Sequence, residues 1–516
     1  MMSTKSRVLS TVVTAVVASL AFTACSGSTP QESTTTQAGP ETAPLLRIGS
    51  LQEPTSYDPA QANEGHQAPI YQAVYDTLIK REPDGTLSPM LATSWEPSDG
   101  NKAYTLKLRN DVKFTDGTAF DSAAVKANLE HFTKANGPLA GTARSVQTVE
   151  TPDATTAVIR LSEPDPGLPY SLANAAGLMA SPKVIGTDAI KTKPVGSGPY
   201  TLDSANTVAG SKITYVRNAD YWGDKLPYDK VEFQILTDET ARLNALKSGQ
   251  VDAATLSRAA TAVEAEGAGL LHKPFEVNWE GIFFFDRDGT KLPQLKDVRV
   301  REALTLAIDR EALLQAVHLG KGTLTSQTFR PGTAGYDQAL DGKYTYDPDR
   351  ARELLKEAGA ENLTFTFPIT QVFDPSIYDS IIQNWQDIGV TVNRHQWGPG
   401  QAIPSMQRGE FPISYMALSQ RDDWRHILFQ LAPNAPWNPF KVTTPELSAL
   451  FTKAQTGAEA EQKDADKAVN EYMVDNYWFS PLYRLESHFY HNASVEVEPQ
   501  TEQAVPSIYN YRPTGK

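Results

Sequence analysis

The chain has 516 residues, a formal charge of -14, and 35 prolines and 33 glycines scattered among many short apolar runs. That length exceeds one ordinary domain, so two or three lobes are expected, and the scattered turn residues point to a loop-rich mixed α/β chain rather than a helical bundle or repeat array. So acidic a chain argues against nucleic acid and anionic lipid as partners, and its single cysteine excludes an internal disulfide.

Residues 1–24 carry Lys5 and Arg7, then an apolar run over residues 8–22 broken only by Ser and Thr, with no acidic residue. The run is shorter than the roughly 20 residues a bilayer crossing needs, so it reads as a secretory signal, and no later stretch is long enough to span. Removal of Lys5 and Arg7 leaves 45 basic against 61 acidic residues, a charge of -16. Phe22-Thr-Ala-Cys25 resembles a bacterial lipobox, in which the thiol takes a diacylglyceryl group and becomes the new first residue, although Phe22 stands where leucine is usual. Residues 26–44 hold Ser, Thr, Gln, Gly and Pro with no aromatic or large aliphatic residue, which predicts a flexible tether reaching roughly 25 Å.

The body begins with a strand over residues 45–51 and a turn over residues 53–59 that carries Tyr57 and Asp58. A helix leading to a strand follows over residues 71–78. Tyr104, Leu106 and Leu108 alternate with polar neighbours as a half-buried strand, Asp116-Gly117 signals a hairpin, and residues 120–132 read as a helix. Strands are predicted over residues 156–161, 231–236 and 279–286, with a helix over residues 238–248 ended by Gly249. Pro194-Val-Gly-Ser-Gly-Pro-Tyr200 is no phosphate loop, because neither Lys-Ser nor Lys-Thr follows and no helix opens there. Over residues 295–314, Val300, Leu304, Ala307 and Ile308 share a helix face with Arg301, Glu302 and Thr305 opposite. Asp297 and Asp309 cap two short helices that meet there. Residues 346–359 form a proline-started helix that buries Leu354, Leu355 and Ala358 and ends at Gly359.

Several of these segments resemble, in order from about residue 45 to about residue 400, bacterial solute-binding protein family 5, the peptide and nickel class of ABC importers. The likeness rests on Pro89-Met-Leu-Ala-Thr-Ser-Trp-Glu96, the turn ending at Tyr200, Asn218-Ala-Asp-Tyr-Trp-Gly223, Asp297-Val-Arg-Val-Arg-Glu-Ala-Leu304, Ala307-Ile-Asp-Arg-Glu311 and Trp385-Gln-Asp-Ile-Gly-Val390. It implies a two-lobed periplasmic-binding-protein-like α/β fold of type II, with an extra subdomain in lobe one and hinge strands between the lobes. Residues 1–24 would be the signal and 25–44 the lipidated cysteine and tether. Residues 45–75, 195–285 and 485–516 would be lobe I, 76–194 its subdomain, and 286–484 lobe II. Asp286 stands where relatives commonly have Asn, on a strand that crosses between lobes.

For the ligand, the resemblance points to Trp397, Gln420, Arg421, Asp422 and Trp424, with Tyr57 on the turn facing the cleft. Aromatic walls give affinity and a few fixed polar groups give orientation. Peptide-binding relatives hold the α-amino group on an aspartate after a Gly-Trp pair. Here the run is Met416-Ala-Leu-Ser-Gln-Arg-Asp-Asp-Trp424, without that pair, and two registers place either Gln420 or Asp422 in the anchor position. The implied function is a monomeric, lipid-anchored, extracytoplasmic substrate-binding protein that captures a small solute, by family default a peptide, and delivers it to ABC permease subunits. No cofactor, metal or catalytic residue is expected. His488 and His491 share one stretch with Tyr483 and Tyr490 and are the candidate metal pair, and an exported hydrolase of peptides or oligosaccharides, or a solute sensor on the same fold, are the alternatives. The sequence lacks Gly-x-Ser-x-Gly, His-Glu-x-x-His and a nucleophilic cysteine, which disfavours the hydrolase.

Overall fold

The computed structural model describes residues 42–63 and 65–515; the signal, Cys25 and nearly all of the tether fall outside that span. Among the described residues no helix is long and apolar enough to cross a membrane. The first strand, Ala43–Ser50, starts two residues earlier than expected because Ala43 pairs with Tyr228 and donates to the Pro227 carbonyl.

A nine-stranded sheet in two halves runs through the molecule. In the first half, Ala43–Ser50 lies parallel between Tyr228–Ile235 and Ala253–Leu256, with Lys212–Arg217 and Tyr200–Leu202 continuing antiparallel to the edge. In the second half, Phe275–Phe284 lies antiparallel between Ile413–Ser419 and the long strand Phe479–His491. Phe479–His491 belongs to both halves: its first residues pair with Phe275–Phe284 and its last, His488 to His491, pair with Ala253–Leu256. The chain therefore crosses between the halves near residues 271–275 and 487–491, where Leu271 also bridges to His491.

Each half has its own core. Leu46, Ile48, Tyr71, Tyr75, Tyr215 and Phe233 pack beneath the first, while a separate four-stranded antiparallel sheet, Ala92–Ser98, Ala103–Leu108, Thr156–Leu161 and Val146–Asp153, is sealed by helix Ser122–Lys134 through Val125 and Leu129. On the second half, helices Val298–Leu306 and Arg310–His318 meet at Ala307 to Asp309 with Asp297 and Asp309 as caps, as their spacing predicts. Val300, Leu304, Ala307 and Ile308 pack with Trp385 and Ile381. A fourth core gathers Trp279, Phe283, Phe479, Trp437 and Trp478.

Two expectations change. Arg301 and Thr305, on the face opposite the apolar one, are buried too: the Arg301 guanidinium donates to the carbonyls of Leu295, Lys296, Asn476 and Tyr477 and ties the helix to its neighbours, and Thr305 Oγ1 donates to the Arg301 carbonyl. Asp286 lies at the opposite end of its strand from the crossing. It is fully buried and accepts from the backbone of Thr290, Lys291 and Leu292, so it shapes the loop before the helices rather than the hinge.

The turn ending at Tyr200 acquires a structural reason. Asp76 is fully buried and accepts from Ser197 Oγ (2.8 Å), Tyr221 (3.1 Å), Trp222 Nε1 (2.7 Å) and Tyr509 (2.9 Å), so one carboxyl gathers three distant segments. Burial pushes this carboxyl up to about 6, against the pull of those four donors. Gly196 and Gly198 approach the Val74 backbone so closely that a Cβ would stand 2.1 and 2.5 Å from its atoms.

Candidate functional site

Strand Ile413–Ser419 delivers the candidate residues. Gln420 extends the ladder by donating to the Val277 carbonyl at 2.9 Å, and the chain then turns. Asp422 caps the helical turn Asp423–His426 by accepting from Arg425 N at 3.1 Å, and that turn widens into a π-helical turn, Ile427–Leu431. Such wide turns occur often at functional sites.

Gln420, Asp422, Asp423 and Trp424 are all buried. Burial pushes the Asp422 carboxyl up to about 7, opposed by Arg425 and reinforced by Glu502 and Asp423. Asp423 is raised by the same cause, although Gly335 N donates to it at 2.9 Å. Asp466, on helix Glu459–Asp475, is raised by burial and then by Asp423 and Asp422, which places three carboxyls in one enclosed neighbourhood. His426 is driven down to about 3 by burial and stands neutral, its Nε2 2.8 Å from Thr328 Oγ1. The Arg421 guanidinium lies 4.2 Å from the Phe429 ring centroid.

Unpaired polar atoms concentrate here. Gln420 Nε2, Arg421 Nε, Asp423 Oδ1, Trp424 Nε1, both amide atoms of Gln430 and Asp466 Oδ1 are buried without a partner in the protein. Native interiors leave few such groups, and each costs about 1–3 kcal/mol, so this wall suits a polar solute or ordered water.

The opposite side of the contact supplies Tyr170, Arg81 and Glu502. Burial and then the charge of Asp422 push the Tyr170 hydroxyl up to about 12. Glu502 accepts from Arg81 of its own side at 2.6 Å and from Arg330 of the second half at 3.0 Å. Beside this pair a cavity of about 580 Å³ opens between the halves, lined by Gln420, Arg330, Thr323, Lys273, Glu276 and Glu498.

The other two predicted residues lie elsewhere. Trp397 shares the aromatic core of Trp424 but lines a different pocket, of about 310 Å³, made by residues 370–372 and 397–403. Its ring meets Phe411 edge-on at 5.5 Å. Tyr57 packs against the first core, with its carbonyl accepting from Tyr75 at 2.9 Å and its hydroxyl pushed up to about 12 by burial. Asp58 caps a short turn and pairs with His131 at 2.8 Å. Among the described residues no group of three or more His, Cys, Asp or Glu is placed to hold a metal, and His488 Nδ1 lies 3.8 Å from Glu486.

Sequence reasoning missed Asp466, Arg330, Arg425, Tyr170 and Glu502. Asp466 left a trace, because it shares a helix face with Val469, Asn470 and Met473, all buried. The others leave none.

Two α/β lobes that meet across buried polar groups, with the chain crossing between them at two places, define a protein that closes over a solute. Residues 86–432 match the family model described as bacterial extracellular solute-binding proteins, family 5 middle, and the chain belongs to that family. It is 32% identical over 439 residues to the glutathione-binding protein GsiB of Salmonella choleraesuis (strain SC-B67), which covers 81% of this chain and 83% of that one. Its fold superposes on HbpA2 from Haemophilus parasuis with a TM-score of 0.82 at 22% identity, covering 91% of this chain and 99% of that one. The periplasmic binding protein DppA from Helicobacter pylori, in complex with the peptide STSA, gives 0.70 at 22% identity over 91% and 98%. The chain is thus the extracytoplasmic substrate-binding component of an ABC importer.

Proposed function

We propose that the solute is a short peptide or peptide-like zwitterion whose ammonium group is held at Asp422, with Gln420, Arg421 and Trp424 around it. The observation that carries this reading is the enclosed set of Asp422, Asp423 and Asp466. All three carboxyls are raised by burial, and two of them have an oxygen without a partner. A cation held at Asp422 stabilises its ionised form, and the unpartnered oxygens of Asp423 and Asp466 can accept from the rest of the ammonium group while those two carboxyls keep their protons. Arg421 is the nearby cation for a solute carboxylate. Of the two anchor registers, this reading takes Asp422 and leaves Gln420 to the side facing the larger cavity. The names of the relatives support it: one is a glutathione-binding protein and another holds the peptide STSA.

On this reading the solute leaves unchanged, so the protein is a carrier and not a hydrolase. Cys25 carries the lipid anchor, the protein is monomeric, and lobe I (45–75, 195–285 and 485–516), its subdomain (76–194) and lobe II (286–484) close about the crossing strands. Trp397 is a wall of a neighbouring pocket for a longer side chain, and Tyr57 supports lobe I from within.

Isothermal titration calorimetry with glutathione, the peptide STSA and the N-acetylated form of each tests the reading. The free amines are expected to bind and acetylation to weaken binding at least tenfold, the loss of about one charge-assisted hydrogen bond. Equal binding of free and acetylated forms, or appearance of cleaved products, overturns it.

A further inference from the structure

Two arginines of the second lobe cross to the first at separate points, and each enters a socket that the facing lobe has already built. Arg425 Nη2 reaches Ser171 Oγ at 2.7 Å, the Thr142 carbonyl at 3.0 Å and Asp165 Oδ2 at 3.2 Å. Asp165 is fixed beforehand within its own lobe, by Ser145 Oγ at 2.7 Å and Gly167 N at 3.1 Å. Room for the arginine comes from Gly167: a Cβ there would stand 3.0 Å from Arg425 Nε and 3.3 Å from Trp424 Cδ1. Gly167 has φ -83°, which any residue adopts, so what the glycine provides here is space toward the other lobe.

The second point repeats the device. Arg330 Nε meets Glu502 Oε1 at 3.0 Å, and Glu502 is fixed beforehand by Arg81 of its own side at 2.6 Å. Glu502 itself is held at φ +65°, a left-handed conformation that is strained for a residue other than glycine. Here too a glycine gives the room, since a Cβ on Gly85 would stand 3.0 Å from Arg330 Nη2. Both arginines and both acids are largely buried, with side chains 5–14% exposed.

We infer that Arg330 and Arg425 are closure latches: positioning residues that hold the two lobes together at two points and so set how tightly, and for how long, any solute is retained. The inference rests on the two-lobe closure and not on which solute is carried. A ligand shifts an open and closed equilibrium only by its differential affinity, and bonds present solely in the closed form add to that shift without touching the ligand. Each latch is a charge-assisted bond in a buried place, so losing one is expected to weaken retention roughly tenfold, mainly through faster release.

The test compares the purified protein with Arg425→Ala, Arg330→Ala, the double variant and Gly167→Val by small-angle X-ray scattering, with no added solute and with glutathione, and by stopped-flow release of glutathione. Gly167→Val leaves both charges in place and blocks the socket, so it stands in if an arginine variant fails to fold, and thermal melting checks folding in each. The latch predicts that, in at least one of the two conditions, the double variant and Gly167→Val have a larger radius of gyration than the natural protein while keeping its melting temperature. Wherever glutathione binds, it predicts faster release. Contraction of every variant to the same radius on adding glutathione, with unchanged release, overturns the latch and leaves the solute reading standing. A variant more open than the natural protein without solute, combined with no response to glutathione, upholds the latch and overturns the solute reading. Identical scattering of all proteins in both conditions overturns the latch.

Discussion

Replacing Asp422 by Asn is the sharpest probe of the proposed ammonium site, because its carboxyl sits at about 7 in the solute-free protein for a stated reason, its burial. A bound ammonium favours the ionised form, so Asp422 must lose its proton where solute binds. The sign follows: below pH 7 the carboxyl is protonated and binding must pay for its ionisation, so affinity rises with pH and levels off above 7. Between pH 5.5 and 7.5 the ionised fraction of a group at 7 climbs about twenty-five-fold, and the dissociation constant for glutathione is expected to fall by about that factor, near 2 kcal/mol. The amide in Asp422→Asn cannot ionise. That variant is expected to bind about tenfold to a hundredfold more weakly at pH 7.5, to approach the natural protein at pH 5.5, and to lose most of the pH dependence. Calorimetry in two buffers of different ionisation enthalpy reads the proton release directly, about half a proton per solute at pH 7 for the natural protein and close to none for the variant. The same pH dependence in both proteins would refute the assignment of Asp422.

Three further outcomes are expected. Asp76→Ala strands four buried donors, so it should destabilise the fold by roughly 3–5 kcal/mol at pH 4.5. A carboxyl raised to about 6 stabilises fully below its ordinary value and loses that contribution as pH rises through 6, so the penalty in equilibrium urea denaturation should shrink by pH 7.5, and a larger penalty there would contradict the account. Glu280, which accepts from the Tyr415 hydroxyl on the neighbouring strand, is pushed up to about 7 by burial. The natural protein should lose stability between pH 5 and 8, and Glu280→Gln should flatten that fall by up to about 3 kcal/mol, with an unchanged slope as the contrary result. Trp424 faces the Gly167 notch across the lobe contact whereas Trp397 lines a pocket of one lobe, so Trp424→Phe should abolish most of the solute-induced fluorescence change and Trp397→Phe should preserve it; the reverse pattern would move the site to Trp397.

What the sequence determined is local in origin. Asp297 and Asp309 cap their helices by bonds that span two and three residues, Pro348 opens a helix whose Leu354 and Leu355 are buried, and the alternation of Tyr104, Leu106 and Leu108 fixes the face of one strand. These signals repeat at the period of the element, so a reader of the chain alone recovers them, and their order carries the family likeness. The nearness of Gln420, Arg421, Asp422 and Trp424 was legible for the same reason, since they are neighbours in the chain.

Only the tertiary structure decided which groups meet across it. Arg301 lies opposite the apolar face yet is buried, because a loop from residue 476 supplies carbonyls that periodicity does not register. Asp76 draws Ser197, Tyr221, Trp222 and Tyr509 together, and Glu502 joins Arg81 to Arg330, over separations of up to 433 residues. Trp397 was separated from Trp424 by the course of two loops that line a pocket of their own. A charge in sequence has no partner until a sheet places one beside it. In this chain one long strand shared by both halves of the sheet sets those distances, and with them the carboxyls, the cavity and the arginines at the contact between the lobes.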